Sequence, residues 1–305
     1  MAASPTGRPV EIPCSITPVG TYRALLGESP VWDYRRSRLL FTDILARRLI
    51  VIDPAFGDER TFEFPGGITS LGLADCGGYV ATAERSYMLL DETIKVLWRS
   101  QDVEPQFPQN RFNDGKVDPF GRYWAGTMQR DLAGSDGSLY CLVGNTPERR
   151  DQGYRVTNGP AFSPDGQVMY HTDSLQRVVY QIGIDAQQGR LERRVFVRIP
   201  EEFGTPDGMT VDQDGRLYVA HFGGGGISRF LADGTGDGFI RLPVQNVTSV
   251  TFGADNFTTL FATSANCTFD ESERLACPLE GSVFAIDCNA RGLPQPLFSS
   301  RDILA

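Results

Sequence analysis

Four polar side chains lie in short segments where glycine or proline restricts or shapes the backbone beside them. They are Glu28 in GESP, Asn113 in FNDG, Asn158 in TNGP and Asp207 in TPDG. Each offers a carboxylate or carboxamide oxygen, and hard divalent cations prefer oxygen ligands. Because no histidine or cysteine is among them, such a set would hold calcium, magnesium or manganese, with zinc or iron(II) as alternatives. If Glu28 and Asp207 faced each other, a cation between them would also relieve their repulsion.

The same segments have an ordinary structural interpretation. Asx-Gly and Pro-Asp-Gly sequences are common turn formers and occur in any β protein. The metal-site hypothesis therefore depends on whether the fold brings the four residues together.

A repeat of about 45 residues organises the chain, and that is the length of one propeller blade. Strand-like runs such as RLLFTD, RYWAGT and LYVAHF recur six times, each after a turn signal. A second apolar strand follows each run, and a third precedes each turn. The anchor residues of the six runs are Leu40, Tyr79, Tyr123, Tyr170, Tyr218 and Phe261.

Three strands are evident in every repeat, and a fourth is expected in the less regular remainder. This pattern predicts an all-β protein, a six-bladed β-propeller with four-stranded antiparallel blades, in which residues 1–305 form a single domain. The ring must close, because an open end would leave a sheet edge unpaired. We expect residues 10–17 to complete the last blade as an N-terminal strand, and residues 1–8 to be a disordered tail.

The innermost strands of a propeller run along its channel and begin together at one end of it. In each repeat, the residue that begins the innermost strand lies ten to thirteen residues before the anchor residue. These residues are Glu28, Thr69, Asn113, Asn158, Asp207 and Thr248. The four oxygen donors share this register, so we expect them to meet at one end of the channel.

Composition and charge exclude several classes of partner. The net charge is -9, and no long basic run interrupts it, which argues against binding to nucleic acid or to an anionic membrane. No apolar stretch is long enough to span a membrane and no signal sequence is evident, so we expect a cytoplasmic protein. Cys267 and Cys277 are close enough for a disulfide, but thiols in that compartment are usually reduced. The sequence does not indicate an oligomeric state.

Four segments resemble the signature segments of the SMP-30/gluconolactonase/regucalcin family of metal-dependent sugar lactonases. The similarity extends from about residue 20 to residue 290. The segments are GESPVWD (27–33), NRFNDGKVDPFGRYWAGTM (110–128), TNGPAFSPDGQVMYHTDS (157–174) and PDGMTVDQDGRLYVA (206–220).

The resemblance implies a six-bladed propeller that binds one divalent metal ion through Glu28, Asn158 and Asp207. The function that follows is hydrolysis of an aldonolactone to its open-chain acid. A divalent ion would polarise the lactone carbonyl and lower the pKa of the attacking water. We expect Asp207 to act as a metal ligand and also as the general base.

The resemblance also implies contacts with the substrate, a small-molecule sugar lactone. Arg111 and Asn113 match the arginine and asparagine of the family's RFND segment. An acidic residue soon after GTM contacts the sugar in family members, and Asp131 is its nearest equivalent here, although Gln129 and Arg130 intervene.

Two other functions fit the same fold, because propellers host unrelated activities. One is a calcium-dependent aryl esterase or phosphotriesterase, which would not need Arg111 and Asn113 for sugar hydroxyls. The other is a non-enzymatic calcium-binding or protein-docking propeller. A Ser-His-Asp hydrolase is not indicated, because His171 and His221 lie in second strands and no GxSxG occurs.

Overall fold

The computed structural model describes residues 10–55, 57–184 and 192–305, and most of them lie in β-strands and tight turns. The predicted tail, residues 1–8, is outside the described residues. None of the described helices has the length and apolar character needed to cross a membrane.

The strands are short and follow one another through tight turns. They are β1 (Ser15–Val19), β2 (Gly27–Asp33), β3 (Arg38–Asp43), β4 (Arg48–Asp53), β5 (Asp58–Glu63), β6 (Ile68–Ala74), β7 (Tyr79–Ala83), β8 (Ser86–Leu90), β9 (Val96–Arg99), β10 (Asn110–Val117), β11 (Tyr123–Gln129), β12 (Gly137–Val143), β13 (Thr146–Tyr154), β14 (Thr157–Phe162), β15 (Val168–Asp173), β16 (Val178–Gly183), β17 (Arg193–Arg198), β18 (Thr205–Val211), β19 (Leu217–Phe222), β20 (Gly226–Phe230), β21 (Gly236–Arg241), β22 (Val247–Gly253), β23 (Thr259–Ser264), β24 (Val283–Asp287) and β25 (Leu297–Phe298). Two short helices, α1 (Glu271–Ala276) and α2 (Arg301–Leu304), occur near the C-terminal end of the described chain.

The strands form six antiparallel four-stranded sheets arranged in a ring. Blades 1 to 5 are β2–β5, β6–β9, β10–β13, β14–β17 and β18–β21, and blade 6 contains β22, β23, β24 and β1. The first strand of every blade contacts the first strand of the next, and β22 of blade 6 contacts β2 of blade 1. The predicted six-bladed propeller is confirmed.

The N-terminal strand closes the ring as predicted, but it begins later in the chain. β1 pairs antiparallel with β24, from Ser15 opposite Asp287 to Val19 opposite Val283. The residues before it lie instead beside β21, where the Ile12 amide donates to the Phe239 carbonyl over 2.8 Å. Pro13 falls between the two pairings and has no N–H group to donate, so one strand cannot continue through it.

Blade 2 differs from the others by a short fifth strand. β25 pairs in parallel with β6, so that Leu297 lies opposite Leu73 and Phe298 opposite Ala74. The sequence pattern does not indicate this strand, because two residues carry no periodicity. It places the C-terminal segment against the innermost strand of blade 2.

Large apolar side chains pack between neighbouring blades and hold them in register. Trp32 of blade 1 stacks on Phe261 of blade 6 with ring centroids 5.6 Å apart. Tyr87 of blade 2 meets Phe112 of blade 3 edge to face at 4.8 Å. Such contacts add about 0.5–1.5 kcal/mol each beyond the area they bury. The innermost strands are thereby fixed around a common channel.

Each innermost strand has an irregularity in its pairing at one end of the channel. The register shifts between Glu28 and Val31, Ile68 and Ser70, Phe112 and Gly115, Asn158 and Ala161, Pro206 and Met209, and Val247 and Ser249. A β-bulge bends a strand and re-aims the side chain that it carries. The six residues that the sequence register selects all lie at these irregularities, and we call them the bulge ring: Glu28, Thr69, Asn113, Asn158, Asp207 and Thr248.

The bulge in β18 requires glycine after Asp207, because the next blade approaches closely there. A Cβ atom on Gly208 would lie 2.1 Å from Ser249 Oγ. Overpacking of this kind costs about 1–3 kcal/mol. We therefore expect Gly208→Ala to lower Tm by about 3 °C or more in thermal unfolding followed by circular dichroism.

Gly183→Ala is the matched control, because a Cβ atom at Gly183 meets none of the described residues within 4 Å and the glycine is exposed at the end of β16. It should leave Tm within about 1 °C of the wild-type value. Equal values for the two variants would contradict the close approach of β18 and β22.

Candidate metal and substrate site

Two carboxylates of the bulge ring are buried in the channel. Glu28 is 5% exposed and Asp207 is 6% exposed. The pKa of Glu28 is well above its usual value, chiefly because the group is buried and next because of the negative charges of Asp207 and Asp114. Burial, followed by the charge of Asp114, likewise raises the pKa of Asp207 well above its usual value. The ring thus concentrates negative charge where water does not stabilise it.

The carboxylate of Asp207 is incompletely hydrogen-bonded. Its buried Oδ1 atom has no donor among the described residues, while the amide of Gly208 interacts with the group. Glu28 Oε2 accepts a hydrogen bond from the Ser29 amide over 3.3 Å. A buried acceptor without a partner costs about 1–3 kcal/mol, and more when it is charged. A cation next to Oδ1 would remove that cost.

Asn158 presents its carboxamide oxygen to the same end of the channel. Its Nδ2 atom donates to Ser174 Oγ over 2.8 Å, which fixes the orientation of the amide. Its Oδ1 atom accepts from Asn113 Nδ2 over 2.8 Å and retains a second lone pair. The oxygen is therefore positioned in advance as a ligand.

Glu28, Asn158 and Asp207 together fit a hard or borderline divalent cation. The donors are all oxygen atoms, and two of them belong to carboxylates whose pKa values stay raised by burial and by neighbouring negative charge, although Arg111 offsets part of this at Glu28. Within the described ranges, no three side chains of histidine, cysteine, aspartate or glutamate are grouped to hold a metal ion. The candidate set therefore depends on the Asn158 carboxamide as its third ligand.

Arg111 and Asn113 lie beside this set and are bonded to each other. Arg111 Nη1 donates to Asn113 Oδ1 over 2.7 Å and to the Phe112 carbonyl over 2.8 Å. Asn113 in turn donates to the Thr157 carbonyl over 2.8 Å, in addition to its bond with Asn158. A continuous chain of hydrogen bonds therefore leads from Asn158 outward to the Arg111 guanidinium.

Two further charged residues lie next to the site, the buried Asp114 and the half-buried Lys116. Asp114 accepts from the amides of Gly115 over 2.7 Å and Gly159 over 3.1 Å. Burial raises its pKa to about 6, and burial lowers the pKa of Lys116 to about 8. Lys116 Nζ donates to the Met209 carbonyl over 2.6 Å, across the channel on blade 5. The sequence signal for these two residues is that Asp114 and Lys116 are charged and lie two positions apart on one innermost strand.

Asp131 makes no hydrogen bond to the other predicted site residues within the described part of the chain. It is exposed, and its Oδ1 atom accepts from the Ala133 amide over 3.1 Å within its own loop. His171 and His221 are fully buried in second strands, where burial lowers the pKa of each to about 3. All six cysteines are free, including Cys267 and Cys277.

The fold and the site together define a class of protein. Its members are six-bladed propellers with buried carboxylates and carboxamides at one end of the channel. Residues 26–266 match the model of the SMP-30/Gluconolactonase/LRE-like region. The chain belongs to this family.

Curated relatives match nearly the whole chain. A 6-deoxy-6-sulfogluconolactonase of Pseudomonas putida is 35% identical over 90% of this chain and 96% of its own length. Regucalcin of Gallus gallus is 34% identical over 93% of this chain and 97% of its own length. Among solved structures, a calcium-binding protein, regucalcin, from Agrobacterium tumefaciens superposes with a TM-score of 0.89 at 25% identity, covering 95% of this chain and 99% of that one.

The repulsion among the buried carboxylates predicts that an amide at position 28 stabilises the metal-free protein. The folded-state pKa of Glu28 is raised, so its unfavourable contribution is absent below the unfolded-state pKa and grows as pH rises. With a chelator present, we expect Glu28→Gln to raise Tm by about 3 °C or more near pH 8 and by less near pH 5.

Glu63→Gln is the control, because the Glu63 side chain is 75% exposed and forms a surface ion pair with Arg48. It should change Tm by less than about 1 °C at either pH. A lower Tm for Glu28→Gln in the metal-free protein would contradict the inference that Asp207 and Asp114 repel the Glu28 carboxylate.

Proposed function

We propose that this chain hydrolyses a sugar lactone to the corresponding aldonic acid, with one divalent metal ion held by Glu28, Asn158 and Asp207. The observation that carries the proposal is the buried, unpartnered Oδ1 atom of Asp207, beside a second buried carboxylate and a carboxamide fixed as a ligand. The Pseudomonas putida relative, a lactonase by name, supports the reaction class. The regucalcin from Agrobacterium tumefaciens, described as calcium-binding, supports a divalent ion.

The donor chemistry is compatible with calcium, magnesium, manganese, zinc or iron(II). When bound, such an ion supplies polarisation of the lactone carbonyl and a lower pKa for water. Glu28 and Asn158 act as ligands in this proposal, and Ser174 keeps the Asn158 oxygen directed into the channel through its hydrogen bond.

Asp207 has a second role as the general base. Its Oδ1 atom has no hydrogen-bond donor among the residues that the structure describes, so it can accept the proton of the attacking water as the new C–O bond forms. A general base works best when its pKa is near the working pH, and burial moves the pKa of Asp207 upward from its usual value. The proton can then pass to the ring oxygen when the lactone C–O bond breaks.

Arg111 and Asn113 orient the sugar. Arg111 uses Nη1 to hold Asn113, which leaves Nε and Nη2 without an acceptor among the described residues. These two donors form a planar pair suited to sugar hydroxyls or to the ring ester. Asp131 remains a further predicted sugar contact, which requires its exposed loop to approach the substrate.

Two alternatives use the same residues differently. An aryl esterase or phosphotriesterase would need the carboxylates but not the oriented Arg111 and Asn113 pair. A calcium-binding propeller without catalysis would bind metal tightly and hydrolyse no lactone. We expect a cytoplasmic enzyme whose partner is a small molecule.

Removal of Asp207 tests ligand and base together. Asp207→Ala should lower kcat for a hydrolysed aldonolactone at least a hundredfold, the low end for loss of a general base. The measurement is a pH-indicator assay over five- and six-carbon aldonolactones, aryl esters and phosphotriesters, with and without chelator, coupled to metal analysis.

Asp233→Ala is the matched control. Asp233 is an exposed turn residue whose carboxylate accepts a hydrogen bond from the Thr235 amide. The variant should retain kcat within about twofold. Wild-type turnover by purified Asp207→Ala would refute the assignment of Asp207. Faster hydrolysis of aryl esters or phosphotriesters by the wild type would favour the first alternative, and metal binding without any hydrolysis the second.

Arg111→Ala removes the paired donors and should mainly weaken substrate binding. We expect KM to rise about tenfold, the loss of one charge-assisted hydrogen bond, with a smaller effect on kcat. Initial rates over a range of lactone concentrations give both constants. An unchanged KM would place Arg111 outside the substrate pocket.

A further inference from the structure

A second arginine lies next to Arg111 at the mouth of the site. In the pairing of β10 with β11, Arg111 lies opposite Met128, and the Arg130 amide donates to the Gln109 carbonyl over 3.1 Å just beyond the end of β11. Residues two apart on a strand share a face, so Arg130 lies diagonally across from Arg111 on one side of the sheet. The two guanidinium groups are therefore neighbours.

Their proximity has an electrostatic cost. The pKa of Arg111 falls to about 10, first because the group is buried and next because the Arg130 cation is close. A single arginine would suffice to donate to neutral hydroxyl groups. Two adjacent cations are costly unless an anion joins them.

Glu84 fixes Arg130 in this position without cancelling the positive charge of the pair. Arg130 Nη2 forms an ion pair with Glu84 Oε2. Glu84 is itself held, since Oε1 accepts from the Gly67 amide over 3.0 Å and its carbonyl accepts from the Phe112 amide over 2.6 Å. Glu28 also acts on Arg111, but in the proposed metal-loaded protein its charge faces the ion, so the two guanidinium groups then share the single negative charge of Glu84.

Both arginines retain donors for a ligand. Within the described part of the chain, Arg111 Nε and Nη2 and Arg130 Nε and Nη1 donate no hydrogen bond to a side chain or to the backbone. Guanidinium groups bind phosphate and similar oxyanions through two parallel hydrogen bonds. The free donors therefore match a group with several anionic oxygens.

The position of the pair indicates which end of the substrate it would contact. The hydrogen-bonded series runs from the candidate ligand Asn158 through Asn113 to Arg111, and Arg130 lies beyond it toward solvent. A lactone whose carbonyl lies at the metal ligands would extend its terminal carbon along this series.

We propose that Arg111 and Arg130 together bind a strongly acidic substituent, a phosphate ester or a sulfonate, on the terminal carbon of the lactone. This inference rests on the proposed lactonase function and narrows its substrate to an anionic sugar lactone. Arg130 is then a determinant of specificity, and Glu84 is the residue that positions it.

The test compares three substrates with the full-length, metal-loaded protein. They are glucono-δ-lactone, the same lactone phosphorylated on its terminal hydroxyl, and the analogue in which a sulfonate replaces that hydroxyl. We expect kcat/KM of the wild type to be at least tenfold higher for one or both anionic lactones than for the neutral one. The larger of the two ratios identifies which anion the site accepts. Added salt should reduce the preference, because it screens charges at the exposed mouth.

Arg130→Gln should lower the anionic-to-neutral ratio of kcat/KM tenfold or more, mostly through KM for the anionic lactone. Arg130→Lys keeps the charge and should lose less of the ratio. Arg194→Gln is the control, because Arg194 is 68% exposed on β17 and forms a surface ion pair with Glu192, and it should leave the ratio unchanged.

The outcomes separate this inference from the proposed function. If neutral lactone is hydrolysed but the anionic lactones are not preferred, the inference is overturned and the lactonase stands. An Arg130→Gln variant that loses the same factor on all three lactones also overturns it, because Arg130 would then act on the site in general. If the wild type hydrolyses no lactone, both fail.

Discussion

The repulsion between buried carboxylates at one end of the channel is the constraint around which this molecule is organised. Glu28 and Asp207 come from blades 1 and 5, and burial together with neighbouring negative charge raises the pKa of both. Such an arrangement persists only if the surrounding structure holds it or a cation compensates it. The closed ring of sheets holds the two carboxylates in place. The all-oxygen donor set is suited to a cation that would compensate their charge.

The inner strands carry this constraint through hydrogen bonds between blades. Ser29 Oγ accepts from the Leu71 amide of the next blade over 2.9 Å, and Tyr123 of blade 3 donates to Ser70 Oγ of blade 2 over 2.8 Å. Asp114 and Lys116 extend the network to blades 4 and 5 and line a cavity of about 330 Å³ in the channel, together with Gln295 of the C-terminal segment. These bonds join blades 1 to 5, and Thr248 Oγ1 of blade 6 donates to the Gly27 carbonyl of blade 1, so contacts around the whole propeller hold the bulge ring. Distortion of one blade would therefore displace candidate metal-ligating residues on another blade.

The sequence was sufficient to predict the fold and the bulge ring because both depend on local, repeated features. Turn signals and apolar runs mark the strands, and an offset of ten to thirteen residues from each anchor finds Glu28, Asn113, Asn158 and Asp207 at the bulges. The partners of these residues depend on contacts between segments far apart in the chain, which periodicity does not encode. That is why the Asp114 to Lys116 pair, the bond from Asn158 to Ser174, the strand β25 and the position of Arg130 beside Arg111 become evident only in three dimensions. The same limit applies to Asp131. Its spacing after GTM does not predict where its exposed loop lies in the folded protein.

The most direct test of this account is the position of the metal ion in a crystal of the full-length protein soaked in manganese. The account predicts one anomalous difference peak in the channel, within about 2.5 Å of carboxylate or carboxamide oxygens from Glu28, Asn158 and Asp207. A peak bound by other residues, or none at this end of the channel at saturating manganese, would contradict it.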